Sequence, residues 1–321
     1  MKNLYIESVT ANIQFEDEPF ILHDVVQRLT RDDRPYLLCT LRDRTGQINA
    51  VYWNAPEDVC NWVAAGQIIL ATGRTATYKD ELQITLTNIE IWSNPDLGEL
   101  LPASDRPRSE MVAELQQKID SLAEPWQGLL THLLLQPPYH QRFINAPAAR
   151  SMHHAFVSGL LEHSLSMATI ADQLAQHYPH VNRDLLIAGA LIHDMGKMIE
   201  FEDQASFVYS DDGRLIGHIV RAIVLVETAA QQLGTISTND LRQLTHLIAS
   251  HHGQHEWGAP VVPKTIEAIL LHQIDMIDSR VQGFYDHWQQ EQNDNLWSNK
   301  RSFMHNTELR RPPTWPVSNN N

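Results

Sequence analysis

Short runs rich in β-branched and aromatic residues fill about the first ninety positions, with turn-forming residues between them. Arg31–Pro35, Asp43–Gly46 and Lys79–Asp80 supply the Asp, Gly and Pro residues that are typical of turns. Pro56–Ala65 is predicted to be a short helix that ends at Gly66. The predicted strands are Phe20–Thr30, Tyr36–Arg42, Gln47–Trp53, Ile68–Tyr78 and Leu82–Trp92.

The pattern changes to a helical period further along the chain. Asn94–Arg108 contains three prolines and is the predicted linker. Arg310–Asn321 is rich in Pro and Asn without any periodicity, and is expected to be a disordered tail. The predicted helices are Met111–Leu122, Gln127–Leu135, Ala155–His177, Arg183–Met195, His218–Leu233, Asn239–His251 and Thr265–Gln289.

Five strands with a helix between the third and the fourth are the layout of an OB-fold β-barrel. The sequence therefore predicts a multidomain α and β protein, in which a five-stranded barrel is followed by an all-α helical bundle. The expected boundaries are 1–93 for the barrel, 94–108 for the linker, 109–309 for the bundle and 310–321 for the tail.

Composition narrows the classes of function. The formal net charge of −15 over 321 residues excludes the chain-wide basic stripe of many nucleic-acid-binding proteins. Histidine is clustered, because 12 of the 17 histidines lie between His153 and His272. Histidine is the commonest metal-ligating side chain, so this segment is where a metal site is expected.

Two further features bear on location. The longest wholly apolar run, Leu185–Ile192, is too short to cross a bilayer, and the N-terminus lacks a signal-peptide pattern. The two cysteines, Cys39 and Cys60, indicate a reducing compartment rather than a disulfide framework. A cytoplasmic protein without membrane association is expected.

The strongest local motif is Ala188–Lys197, where the adjacent pair His193-Asp194 ends an apolar helix. A carboxylate placed next to buried residues needs a charge partner, and a divalent cation is well suited to that role. Nitrogen and carboxylate donors together favour Mn, Fe, Zn or Co over Ca. Four further candidate ligands lie on or at the end of other predicted helices, as a metal site in a bundle core requires: His163, His218, His251 and Asp275.

The order His…His-Asp…His…His…Asp resembles the motif of the HD-domain metalloproteins in its two-metal form. The segments His153–His163, Gly217–Ile219 and Ser250–Gly253 also resemble the YhaM family of 3′→5′ exoribonucleases. That family joins an N-terminal OB domain to a C-terminal HD domain, so the resemblance covers about residues 10–290. It implies an HD phosphohydrolase domain and a metal-dependent exonuclease that acts on single strands, with manganese or cobalt as cofactor.

The resemblance also implies roles for individual residues. Asp194 would bridge two metal ions, the first completed by His163, His193 and Asp275 and the second by His218 and His251. Manganese is the expected metal, with Co, Fe or Zn as alternatives. Some three-metal relatives carry a Glu where this chain has Gly159, so two ions per chain are expected.

Several neighbouring residues keep two interpretations. Lys197 either neutralises a phosphate oxygen as a catalytic residue or is a solvated lysine at a helix end. His154 and Arg150 either contact substrate phosphate or have structural roles. His251 is favoured over His252 as the ligand because it stays within the helical register, which leaves His252 to contact substrate or ligands. His272 lies three residues before Asp275 on the same helix face, so it is a candidate for orienting a ligand.

Single-stranded nucleic acid binds OB-folds by stacking its bases on aromatic side chains. The turn Asp43–Gly46 and the following Gln47–Trp53 resemble OB domains of the tRNA-anticodon type over about residues 10–93. The alternative role for each aromatic residue is to fill the barrel core. The candidates for stacking are Tyr36, Tyr52, Trp53, Tyr78 and Trp92.

Four functions remain open from the sequence. The favoured one is a 3′→5′ exonuclease on single-stranded RNA, with DNA as a possible second substrate. The alternatives are a hydrolase of a small cyclic or linear nucleotide, a di-iron oxygenase, and a binding module without activity. The intact set of candidate ligands counts against the binding module, and the fused OB domain counts against the oxygenase. Oligomerisation is compatible with all of them.

Overall fold

A computed structural model describes residues 2–79, 81–93, 97–101, 103–149, 156–203, 208–289, 291, 295–302 and 304–313. The chain divides into two compact units. The first contains residues 1–103, and the second contains residues 104–202 and those from 208 onwards. Among the described residues, no helix is both long enough and apolar enough to cross a membrane.

The first unit is a closed five-stranded barrel, as the sequence predicts. Its strands follow the order β1-β2-β3-β5-β4, with β4 paired back to β1. All the neighbouring pairs are antiparallel except β3 and β5, which are parallel. The elements are β1 (Gln14–Leu29), β2 (Pro35–Asp43), β3 (Gly46–Trp53), α1 (Glu57–Trp62), β4 (Ile68–Tyr78) and β5 (Glu81–Ile91).

Alternation of apolar and polar residues explains why these segments close into a barrel. Along β2, Leu37, Cys39 and Leu41 are buried in the barrel core while the intervening side chains face outwards. β1 begins six residues before its predicted start at Phe20. Its pairing shifts register between Leu22 and Asp24, and bulges of this kind bend a strand so that it can pair on both sides.

The second unit is helical, again as predicted. Two short strands, β6 (Phe201–Asp203) and β7 (Val208–Tyr209), pair with each other after α7. The helices are α2 (Arg108–Asp120), α3 (Trp126–Leu130), α4 (His140–Asn145), α5 (Gly159–His177), α6 (Arg183–Ile192), α7 (Lys197–Glu200), α8 (Asp211–Leu215), α9 (His218–Leu233), α10 (Thr238–Ser250) and α11 (Ile266–Gln289).

Helix α6 is the centre of this unit, because every residue from Leu185 to Ile192 is buried. Asn182 caps its start by accepting a hydrogen bond from the backbone N–H of Leu185. Helices α3, α5, α10 and α11 pack against it, and together with α9 they contribute to one apolar core. A helix that is apolar on all sides is stable only when it is enclosed in this way. His193 and Asp194, which directly follow α6, therefore lie in the interior of the unit.

The structure differs from the sequence-based expectation in several details. Helices α4, α7 and α8 were not predicted, since six-, four- and five-residue helices carry little periodicity. The predicted helix Gln127–Leu135 is α3 followed by a π-helical turn, Thr131–Leu135. Within the predicted linker, Leu97, Leu100 and Leu101 are buried. At the other end, Arg310 forms a β-bridge with Trp297, and the residues after 313 lie outside the described part.

Candidate active site

Asp194 is the centre of the candidate site. It follows the buried helix α6 and His193, and its carboxylate is almost wholly enclosed. One oxygen, Oδ1, lies 3.4 Å from each of two imidazole Nε2 atoms, and the other, Oδ2, lies 3.4 Å and 3.8 Å from two more. These four imidazoles belong to His218 and His251 on the Oδ1 side and to His193 and His163 on the Oδ2 side.

The surrounding side chains form two groups. The donor atoms of His163, His193 and Asp275 lie within 4.8 Å of one another, and so do those of His218, His251 and His252. Asp194 adjoins both, because it also groups with His193 and His251 at the same spacing. The structure thus brings together all six predicted ligands. It places His252 beside them, so His251 and His252 face the same group rather than competing for one position.

Hydrogen bonds to the backbone fix two of the imidazole rings. The Nδ1 atom of His193 donates to the carbonyl oxygen of Ala190 (3.0 Å), and Nδ1 of His251 donates to that of Ile248 (2.8 Å). A carbonyl oxygen can only accept, so Nδ1 carries the proton in each ring. In the neutral form of each ring, the lone pair is then on Nε2, the atom 3.4 Å from Asp194, and this is the tautomer that a metal ligand needs.

Carboxylates orient the other two rings. Oδ2 of Asp278 lies 2.7 Å from Nδ1 of His163, and Oε1 of Glu200 lies 3.2 Å from Nδ1 of His218. Ser166 donates to the second oxygen of Asp278. Carboxylate–histidine pairs of this kind fix the ring and raise its basicity as a ligand. Sequence reasoning missed both carboxylates, although Asp278 lies one helical turn after Asp275 and Glu200 one turn after Lys197.

Atoms without hydrogen-bond partners mark the centre of the site. Nε2 of His193, His218 and His251 and Oδ1 of Asp194 are buried, and none has a hydrogen bond within the described residues. Leaving a buried polar atom unsatisfied costs about 1–3 kcal/mol, so clustered exceptions need an explanation. Neutral imidazole nitrogens together with carboxylate oxygens match the donors that divalent transition metals prefer. The residues present therefore fit a metal centre.

Charge at the site is concentrated on one ion pair. Nζ of Lys197 donates to Oδ2 of Asp194 at 2.6 Å. Burial by itself would raise the pKa of Asp194, but Lys197 and His193 outweigh it and hold that pKa well below its usual range. Burial lowers the pKa of His251 to about 4, against the opposing effect of Asp194. At neutral pH the site thus offers an ionised carboxylate and an unprotonated His251 imidazole.

Gly196 allows the start of α9, with His218, to lie close to Asp194. A Cβ atom on this residue would lie 2.0 Å from the carbonyl oxygen of His218, and backbone atoms cannot move aside cheaply. Any other residue would therefore push the start of α9, with His218, away from Asp194. This spacing explains why a glycine follows the His193-Asp194-Met195 segment.

Of the remaining predicted residues of this unit, His252 and His272 are described by the structure. Nδ1 of His252 donates to the carbonyl oxygen of Trp257 at 2.8 Å, and Nδ1 of His272 donates to that of His251 at 2.8 Å. His272 therefore supports the backbone of a candidate ligand. Arg150 and His154 lie outside the described residues.

Two of the predicted aromatic residues form one exposed pair on the barrel. The rings of Tyr36 and Trp53 are stacked with their centroids 4.8 Å apart, and Trp53 is 51% exposed. These residues are direct partners across β2 and β3, and the exposed Arg28 is the partner of Tyr36 on β1. Arg28, Tyr36 and Trp53 therefore occupy neighbouring positions on three adjacent strands, on the outer face of the barrel.

The prediction that Tyr52 belongs to a nucleic-acid-binding surface is wrong. Its side chain is only 5% exposed and packs in the barrel core, because successive residues of a strand point to opposite faces. Trp53, the next residue, is consequently on the outside. Tyr78 is exposed at the end of β4, with Nζ of Lys79 5.4 Å from its ring centroid. Trp92 is half-buried.

Comparison with known families agrees with both units. The family model described as "HD domain" matches residues 160–280. The model described as "OB-fold nucleic acid binding domain", of the tRNA-anticodon type, matches residues 21–92. The chain is thus a two-domain protein that combines an OB-fold with an HD domain, a class of domain that binds divalent metal ions.

Full-length relatives define the family more closely. A protein of Geobacillus sp. (strain WCH70) is 34% identical over 83% of this chain and 82% of its own length. A protein of Bacillus velezensis is 35% identical over 83% and 85%, and one of Bacillus subtilis (strain 168) is 33% identical over the same shares. Each is named 3′-5′ exoribonuclease YhaM. The chain belongs to the YhaM family.

Proposed function

We propose that the protein is a metal-dependent 3′→5′ exonuclease that removes nucleotides from single-stranded RNA. The observation that carries this proposal is the enclosed carboxylate of Asp194 with four imidazole Nε2 atoms within 3.8 Å of its oxygens. The family supports the reaction, because its named members are 3′-5′ exoribonucleases. Activity on DNA, a cytoplasmic location and oligomerisation stay predictions.

Two metal ions per chain, with manganese as the expected metal, are part of the proposal. Asp194 would be shared between them, with His163, His193 and Asp275 on one side. His218 and His251 would hold the other, and His252 is placed to add a third nitrogen. Bound divalent cations at such a site supply Lewis acidity toward a phosphodiester and an activated water at neutral pH.

Lys197 is proposed as the catalytic cation of the protein itself. Its ammonium is enclosed beside Asp194, and although burial would lower its pKa, the carboxylate outweighs this effect and raises it. The side chain therefore remains charged, and a buried charge interacts with phosphate more strongly than a solvated one. A position one turn after His193-Asp194 suits it to neutralise a non-bridging phosphate oxygen. The low side-chain exposure of Lys197, 14%, supports this role over that of a solvated lysine at a helix end.

The direct test is degradation of a single-stranded RNA that carries a label at its 5′ end, with purified full-length protein and Mn²⁺. We expect a ladder of labelled products that shortens one nucleotide at a time, because attack begins at the unlabelled 3′ end. A single labelled mononucleotide appearing at once would indicate the opposite polarity. Intact RNA together with hydrolysis of a small cyclic or linear nucleotide would favour the alternative substrate class.

The barrel surface formed by Arg28, Tyr36 and Trp53 is proposed to hold the RNA strand. Stacking of bases on aromatic rings does not depend on sequence, and an adjacent guanidinium attracts phosphate. A local platform of this kind also accommodates the net charge of −15, since it does not need a chain-wide basic surface.

Removing the platform should separate strand binding from chemistry. In the double variant Tyr36→Ala/Trp53→Ala, we expect the Kd for single-stranded RNA to rise about 10- to 100-fold, because the stacking contacts are lost. Hydrolysis of bis-p-nitrophenyl phosphate, which has no strand to bind, should be unchanged. The control is Tyr178→Ala, which removes an exposed tyrosine of the helical unit. Equal RNA affinity in the double variant and the wild type would exclude this surface.

A further inference from the structure

Trp257 is an exposed aromatic residue close to the candidate metal centre. It belongs to the 3₁₀ turn His255–Trp257, which follows α10 and the pair His251-His252. Its side chain is 46% exposed and takes no part in the core of the helical unit. The indole therefore offers an aromatic surface to a ligand beside the candidate metal centre.

Hydrogen bonds hold this turn in one conformation. Nδ1 of His255 donates to the carbonyl oxygen of Ala259 at 3.0 Å, and the backbone N–H of Ala259 donates to Gln254 at 3.1 Å. Gly258 closes the turn in the left-handed region, at φ +88°. The indole is therefore presented by a fixed loop rather than by a mobile one, which lowers the entropic cost of binding a ligand.

The same loop is tied to the candidate ligands. The carbonyl oxygen of Trp257 accepts the Nδ1 proton of His252 at 2.8 Å. On its other side, the indole lies against the ring of His272, with their centroids 6.0 Å apart, and His272 in turn supports the carbonyl oxygen of His251. Gly253 leaves room for the His272 ring, since a Cβ on residue 253 would lie 2.2 Å from Cε1 of His272.

We propose that Trp257 stacks on the base of the 3′-terminal nucleotide while the phosphodiester of that nucleotide lies at Asp194. This inference rests on the proposed exonuclease function and adds the residue that positions the leaving nucleotide. Such an enzyme must place each terminal nucleotide whatever its base, and an aromatic face does so without sequence preference. The exposed face provides the surface, and His252 and His272 fix its distance from the centre.

The test compares two RNAs that differ only at the 3′-terminal nucleotide, which is either normal or abasic. The full-length wild type should remove the normal nucleotide with a kcat/KM about 5- to 150-fold higher, the range given by one stacking contact. Trp257→Ala should abolish this preference, because the contact is missing for both substrates. Trp257→Phe should retain most of it, because a flat ring remains.

The matched control is Trp297→Ala, which removes an equally exposed tryptophan (52%) of the same unit and should keep the wild-type preference. The proposal is overturned if Trp257→Ala keeps the preference, or if the wild type degrades both RNAs equally well. If the alanine variant melts at a lower temperature than the wild type, the phenylalanine variant decides, and its loss of preference overturns the proposal. A wild type that degrades neither RNA refutes the proposed function itself.

Discussion

Replacing Asp194 with asparagine should lower kcat/KM on single-stranded RNA by about a thousandfold or more, which is the scale expected when a preorganised charge at the reacting centre is removed. The substitution changes the side-chain volume little. It removes the negative charge that faces four imidazole Nε2 atoms at 3.4–3.8 Å. RNA binding should persist, because the proposed strand-binding surface is on the barrel. Steady-state kinetics and a direct binding measurement on the same preparation separate these two effects.

A loss of activity in Asp194→Asn could also come from loss of folding, because the substitution leaves the charge of Lys197 without its partner. Nζ of Lys197 lies 2.6 Å from the Asp194 carboxylate, and removing one partner of a buried pair costs about 3–5 kcal/mol. The double variant Asp194→Asn/Lys197→Gln removes both charges and should melt closer to the wild type while remaining inactive. A single variant that keeps a substantial fraction of wild-type activity would show that Asp194 is not the central residue.

The elements that the sequence predicts well are those whose period is set by a buried face. Strands β2 and β4 alternate, and α6 is apolar from Leu185 to Ile192, the part that is enclosed, so both patterns are visible without coordinates. The one wrong aromatic assignment, Tyr52, arises from the same alternation. A shift of one residue moves a side chain to the other face, so Tyr52 is in the core and Trp53 is outside.

The candidate metal ligands were predictable because His193-Asp194 stands at the end of an apolar helix and the other ligands lie on separate helices. The groups that orient them were harder to find. Glu200 and Asp278 contact His218 and His163 across 18 and 115 residues of sequence, and a single carboxylate on a helix gives no local signal. Trp257 was missed for a similar reason, since its contact with His272 exists only in the folded chain.

Removing divalent metal from the protein should abolish RNA degradation, and adding Mn²⁺ should restore it. Elemental analysis of the loaded protein should give about two ions per chain, one for each of the two groups of donor atoms that adjoin Asp194. The melting temperature should fall by about 5–10 °C after chelation, the effect of losing a ligand held at about a hundred times its Kd in a domain of about 200 residues. The physical cause is that imidazole and carboxylate atoms at the centre have no other partners among the described residues.

Single substitutions locate the two ions. Asp275 belongs to one group of donor atoms and His218 to the other. The variants Asp275→Asn and His218→Ala should therefore each bind about one ion fewer than the wild type. The control is His180→Ala, which removes an exposed histidine outside both groups and should retain both ions. Full activity after exhaustive chelation, with an unchanged melting temperature, would contradict a metal centre at these residues. A loss of both ions in either variant would instead show that the ions bind only as a pair, because Asp194 alone cannot hold one of them in place.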